Sequence, residues 1–305
     1  MAVSQELKRV IARNQLTDRL FAAASIAALA GALLVLAFLI TDLVGNGLLR
    51  INWDFIVTFP SRFAGRAGIL SAWVGTLLVM LVTAVAAIPV GVAAAIYLEE
   101  YAAKNSFTAF IELNITNLAG VPSIVFGLMA LGLFVYEFGM GHSILTAGLT
   151  LGLLVLPIIV VTTRESLRAI PLAIREAAFA LGATKWQTTR HHVVPYSLGG
   201  ILTGVIIALS RAIGETAPLI TVGALSFIAF LPPAPIAATP PFLNLDWLNA
   251  PFTVMPIQMF NWISRPQEEF HENAAAAGIV LVAMTLMMNA IAIAIRHRYR
   301  RRIKW

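Results

Sequence analysis

Six stretches of this 305-residue chain are long enough and poor enough in charge to cross a bilayer, and nothing else narrows its folding so far. A hydrocarbon core of about 30 Å takes roughly 20 helical residues, and within it every backbone N–H and C=O must find its partner inside the protein. Spans are therefore expected near 20–41, 68–95, 117–136, 143–163, 196–230 and 273–295. The first lies between Arg19 and Asp42, the run from Ala67 to Leu98 carries no charge, and the fifth is interrupted by Arg211 and Glu215. Only 12% of residues are charged and 59% are apolar, against about 25% charged in an ordinary soluble domain. That excludes a water-soluble globule and a disordered chain. The absence of cysteine removes thiolate catalysis, iron–sulfur clusters and Cys-based zinc sites.

The cations set the orientation. Sixteen of the 21 Lys+Arg fall before span 1, between spans 2 and 3, between spans 4 and 5, and after span 6. The opposite loops hold Arg50, Arg62, Arg66 and Arg265, and Arg211 sits within a span. By the positive-inside rule both termini are cytoplasmic, which an even span count also requires. The formal charge of +6 is thus an orientation signal rather than a nucleic-acid footprint. The organisation expected is a cytoplasmic segment 1–19, a peripheral first helix 20–41, a transmembrane domain 67–295 with a cytoplasmic loop 164–195, and a basic tail 296–305. The apolar run of the first helix exceeds a signal-peptide core and no small-residue cleavage site follows it, so a retained helix is expected.

The loop 164–195 reads as a helical hairpin. Pro171 suits a helix start, Arg175-Glu176-Ala177-Ala178 its body, and Gly182 its C-terminal cap. Thr184 followed by Gln187 has the capping-box spacing that opens a second helix, which Pro195 is expected to end or kink. Such a hairpin suits docking into another protein, or lying on lipid headgroups through Trp186 and Arg190. On the outer side, Leu231-Pro-Pro-Ala-Pro235 and Thr239-Pro-Pro241 form an extended stretch. Met255 to Trp262 is expected as a helix at the outer interface, and Glu268, Glu269 and Glu272 as a solvated face or a contact for an external partner.

Arg211 and Glu215 are the ionisable residues well inside a span. Intramembrane charges cost several kcal/mol and usually face a bundle interior or a water-filled path. Their i, i+4 spacing lets them neutralise one another. The alternative is a path on which Arg211 meets a passing oxyanion and Glu215 limits how tightly it is held; a guanidinium suits phosphate-like groups. Pro218 is expected to break the helix nearby and free backbone to line a cavity. No phosphate-loop, dinucleotide or HExxH motif occurs, and the five histidines suggest no metal site. Energy from ATP would have to come from another chain.

Glu176-Ala177-Ala178, three residues, Gly182, nine residues, then His192, Val194 and Pro195 resemble the EAA loop of ABC importer permeases, EAA-x3-G-x9-I-x-LP. His192 and Val194 replace Ile and Leu at packing positions. Gly68-Ile-Leu-Ser71 through Gly75-Thr76, Gly120-Val-Pro-Ser-Ile-Val-Phe-Gly127 and Arg211-Ala-Ile-Gly-Glu-Thr-Ala-Pro-Leu219 look like the permeases of high-affinity phosphate importers, the last block resembling the A-type of their two permeases. The likeness spans about residues 66–295.

This resemblance implies an all-α integral membrane protein of type I ABC importer permease architecture in the bacterial inner membrane, moving phosphate inward by alternating access. It implies a second, C-type permease, an ATPase dimer carrying ATP and Mg on the cytoplasmic face, and an external phosphate-binding protein, with no cofactor and no metal on this chain and no nucleic-acid partner. Arg175, Glu176, Ala177, Ala178, Gly182 and Pro195 would form the coupling loop, and Arg211 and Glu215 the pathway. Gly75, Gly120, Pro122, Gly127 and Pro218 would serve close packing or backbone breaks. Two alternatives remain open: a permease for sulfate or molybdate, and an autonomous channel or ion-coupled carrier.

Overall fold

The computed structural model describes residues 2–236 and 242–300, with side chains described for 14–236 and 242–298. The Thr239-Pro-Pro241 stretch and the tail from 301 onward lie outside the described residues, as do the side chains of Lys8, Arg9 and Arg13. The described chain is helical, with no β-strand beyond a single bridge between Ile236 and Leu243. In order the helices are α1 (Ala2–Gly47), α2 (Trp53–Val57), α3 (Leu70–Ile96), α4 (Ser106–Leu118), α5 (Ser123–Ala130), α6 (Ile144–Arg168), α7 (Leu172–Ala180), α8 (Lys185–Thr188), α9 (Val194–Ala212), α10 (Ala217–Thr221), α11 (Met255–Ile263) and α12 (Glu268–Arg300). Among the described residues five helical stretches suffice to cross a membrane, or six if the bent pair α4 and α5 counts as one.

Small residues place the core helices. Lipid offers no hydrophobic drive between spans, so close backbone approach and interhelical hydrogen bonds must hold them. Gly148 and Gly152 of α6 face Val82, Ala86 and Ala87 of α3, and the Thr83 hydroxyl donates to the Gly148 carbonyl at 3.1 Å. On α9, Gly200 and Gly204 lie against Ser166 and Thr162 of α6. α6 is thus the hub, with 67% of its apolar window buried, whereas the window of α1 is wholly exposed and α1 leans on α12. A second apolar cluster closes the outer end, where Phe55, Ile69, Met255, Trp262, Phe270 and Ala277 pack together. Met255, Ile257 and Trp262 of α11 are buried in the protein, so this helix is a core element and not the interfacial one its sequence suggests.

Several expected boundaries move. The run 117–136 is not one helix: α4 ends at Leu118, and after Gly120 and Pro122 the chain turns by 107° into α5. A π-helical segment, Leu131–Glu137, completes that second arm. The fifth span does not run from 196 to 230. Helix continues from Lys185 to Ala212, stops, and resumes only as the single turn α10. Pro195 neither ends nor visibly terminates that helix, because a π-helical turn at Thr189–Val193 immediately precedes it and absorbs the missing N–H. The loop expected at 164–195 is the helical hairpin its sequence suggests, with α6 running on to Arg168 before it and α7 and α8 forming its arms. The last helix starts at Glu268, not 273.

A candidate translocation pathway and its coupling surface

Arg211 lies in the last turn of α9 and Glu215 in the break that follows. Their side chains meet at 3.2 Å, Nε to Oε1, with Arg211 41% and Glu215 17% exposed. The structure therefore does pair them, but across a helix end rather than within a helix. Beside the break, Ile213 lines an apolar cavity of about 390 Å³ together with Met80 of α3 and Met288 of α12. Arg211 and Glu215 thus stand beside unwound backbone.

Much of that backbone is paired within the protein, as a membrane setting favours. The amides of Leu219 and Ile220 donate to the Thr216 carbonyl, Ala224 to Leu219, and Leu225 to Phe252 at 3.0 Å. His142 Nδ1 lies 2.9 Å from the Val222 carbonyl, holding the chain where Gly223 takes a φ of +87°. Pro218 is not the breaker: the helix has already ended at Ala212, and Pro218 occupies the first turn of α10, where its missing N–H costs nothing.

The second break, at Gly120 and Pro122, is brought against the first. A Cβ on Gly127 of α5 would overlap Thr221 and the backbone of Pro218, so glycine here lets α5 and α10 touch. Gly75 does the same for α3 against the Thr253 carbonyl, and its neighbour Thr76 accepts the Met255 amide at 2.9 Å. Gly120 has no such neighbour closer than the Asn117 carbonyl at 3.5 Å and belongs to the turn itself. The structure thus brings Gly127 against Pro218 and pairs Arg211 with Glu215, while Gly75 packs separately against Thr253.

At the basic end of the bundle the hairpin is built from local signals. α7 closes in a Schellman motif: Ala183 N donates to the Ala178 carbonyl at 3.1 Å and Gly182 N to Phe179 at 2.9 Å, with Gly182 at φ +81°. Thr184 and Gln187 exchange the two bonds of a capping box at the start of α8. Glu176 and Ala177 face outward with Leu172, Phe179, Leu181 and Trp186, an exposed apolar surface around one acid, while Ala178 is buried.

Arg175 faces the other way. Its Nη2 lies 2.8 Å from Glu100 and donates to the Leu167 carbonyl at 3.0 Å, and its Nη1 donates to Ile170 at 2.8 Å. A cation here satisfies carbonyls at the C-terminal end of α6, where the helix dipole favours it. Beside it, Arg164 is 8% exposed between Glu99 at 3.3 Å and Glu112 at 2.6 Å, and Arg168 pairs with Glu99 at 2.9 Å. Sequence reading missed this network, because the carboxylates of Glu99, Glu100 and Glu112 lie more than 50 residues from the arginines they meet. At the outer end it missed Arg50, which donates to Asn273 at 2.6 Å and to the carbonyls of Ala64 and Ala67, tying α1 to the start of α12. Among the described residues no group of three His, Asp or Glu is placed to hold a metal ion.

Residues 87–305 match the model of the family described as binding-protein-dependent transport system inner membrane component. The chain is 30% identical over 263 residues to the probable ABC transporter permease protein YqgI of Bacillus subtilis (strain 168), covering 85% of this chain and 87% of that one. It is 32% identical over 237 residues to the phosphate transport system permease protein PstA 1 of Mycobacterium tuberculosis (strain CDC 1551 / Oshkosh), covering 78% and 72%. With the phosphate transport system permease protein PstA of Yersinia pestis it shares 33% over 238 residues, covering 77% and 74%. Among solved structures it resembles a chain of the MetNI methionine ABC transporter in an inward-facing conformation, with a TM-score of 0.55 at 17% identity over 74% of this chain and 91% of that one. The fold is that of the type I ABC importer permeases.

Proposed function

This chain belongs to the family of inner membrane components of binding-protein-dependent transport systems, and from that membership we propose that it is the permease subunit through which an ATP-driven importer moves inorganic phosphate into the cytoplasm. The observation that carries the reading is the likeness, over about three-quarters of the chain, to permeases of phosphate transport systems. Arg211 supplies a chemistry that fits it. Its guanidinium has five N–H donors in a planar fork, and the contact with Glu215 engages Nε, leaving the outer face of the fork for a tetrahedral oxyanion. Glu215 keeps the site near neutral when empty, so that a passing anion is attracted without being trapped.

The chain supplies no ATP chemistry in this reading. Two ATPase subunits, bearing ATP and Mg, take the exposed face of α7 and α8 on the cytoplasmic side of the inner membrane, a second permease completes the pore, and an external binding protein delivers the anion. Closure of the ATPases moves the hairpin, and the broken segments around Gly120 and Ile213 are where helices can turn without unpacking the α3–α6–α9 core. The test is uptake of radiolabelled phosphate by the assembled importer in proteoliposomes, with sulfate and molybdate as competitors. ATP-dependent uptake that only phosphate and its close analogues suppress is expected. Uptake suppressed by sulfate or molybdate instead, or carried by the purified chain without ATPase, overturns it.

A further inference from the structure

The hairpin of α7 and α8 is continuous in sequence with α6 and α9, and those two helices are the obvious routes by which its movement would reach the membrane. The structure gives it a third. The end of α3 is a π-helical turn, Tyr97–Tyr101, and it touches both arms of the hairpin. On one side Glu100 holds Arg175 of α7 at 2.8 Å, with side chains only 10% and 16% exposed. On the other, the Lys185 ammonium at the start of α8 stands 5.3 Å from the centre of the Tyr101 ring. Between them a small apolar cluster joins Ile96 of α3 and Ile174 of α7 to Leu167, Ile170 and Val193. Glu99, the neighbour of Glu100, meanwhile engages Arg164 and Arg168 of α6. Two adjacent carboxylates therefore divide the work: one fixes α3 to a neighbouring span, the other to the hairpin.

We propose that Glu100 is a positioning residue for energy coupling, through which the hairpin moves α3 by way of Arg175, with the π-turn as the compliant joint. Three features support a transmitting rather than a merely stapling contact. Arg175 also binds the carbonyls of Leu167 and Ile170, so the hairpin cannot tilt without carrying either the end of α6 or Glu100 with it. A π-turn forms the end of an otherwise α-helical rod, the kind of irregular turn that recurs at functional sites. And α3 leads directly outward: its other end carries Gly75 and Thr76, which grip the segment that opens α11. A push at Glu100 reaches the outer closure through one continuous helix.

The inference rests on reading the chain as an ATP-coupled permease, but not on the identity of the anion. The chain has no cysteine, so a single Leu77→Cys, on the exposed outer half of α3, can carry an environment-sensitive fluorophore in the assembled importer. Adding a non-hydrolysable ATP analogue is expected to shift its emission. In Glu100→Gln that shift, and the phosphate moved per ATP hydrolysed, should fall about tenfold while ATP hydrolysis continues. The exchanged pair Glu100→Arg with Arg175→Glu should restore at least about half of both. Should Glu100→Gln fail to assemble, Tyr101→Leu removes the other contact without leaving a buried charge and should give a smaller loss in the same two readouts. A shift retained within about twofold in Glu100→Gln, or singles that assemble but whose exchange restores neither readout, overturns the proposal. A nucleotide-driven shift in a wild-type importer that moves no phosphate would defeat the substrate reading and leave this one standing.

Discussion

Two sets of arginine–glutamate contacts differ in what they leave over. At the cytoplasmic end, Arg164, Arg168 and Arg175 meet carboxylates 52 to 75 residues away in sequence, and Arg175 adds two backbone carbonyls. At the end of α9, Arg211 meets a carboxylate four residues away through one nitrogen and is 41% exposed. Arg164 and Arg175 are largely buried and bridge separate elements, so they act as fixtures: moving one drags its partners. The second has donors to spare, so it can serve a ligand. Charge and residue type are the same in both places; burial between distant elements separates a joint from a binding group.

The comparison can be broken first at the fixture. Arg164→Leu leaves Glu112 without its cation and Glu99 with Arg168 alone, and a loss of about 2 kcal/mol is expected in the thermal unfolding of the purified chain. Stability unchanged within error would mean that the network is decorative. Arg211→Ala should do the opposite, lowering phosphate uptake about tenfold, equivalent to about 1.4 kcal/mol, with unfolding nearly unaffected. Arg211→Lys, which keeps the charge and loses the fork, should recover only part of the uptake. A variant that unfolds as readily as Arg164→Leu would make Arg211 a packing residue instead. The smallest effect belongs to the hairpin turn: Gly182→Ala forces a Cβ into a φ of +81° and should cost about 1 kcal/mol of local stability, read as faster amide exchange in α7.

Much of the architecture was legible before any coordinates. The apolar runs gave the number of spans, because a helix in lipid satisfies its own backbone and leaves a long uncharged signature. The Schellman turn at Gly182, the capping box at Thr184 and the Arg211–Glu215 pair were legible too, since each closes within six residues. The bend between α4 and α5 was not. Gly120 and Pro122 mark a break in the sequence, but an uncharged run reads the same whether the chain continues straight or turns by 107°. Nor was the stop at Ala212, which precedes Pro218 by more than a turn of helix.

The sequence by itself determined a six-span membrane protein, its orientation by charge, and every motif whose partners are near neighbours. Only the tertiary structure decided which arginines are buried between distant elements, that α11 is buried, and that α3 reaches the hairpin. The reason is physical. Glu100 and Arg175 lie 75 residues apart, and they meet because glycines on α6 let α3 pack against it at close range. Periodicity along one helix carries no record of which face of another it will find.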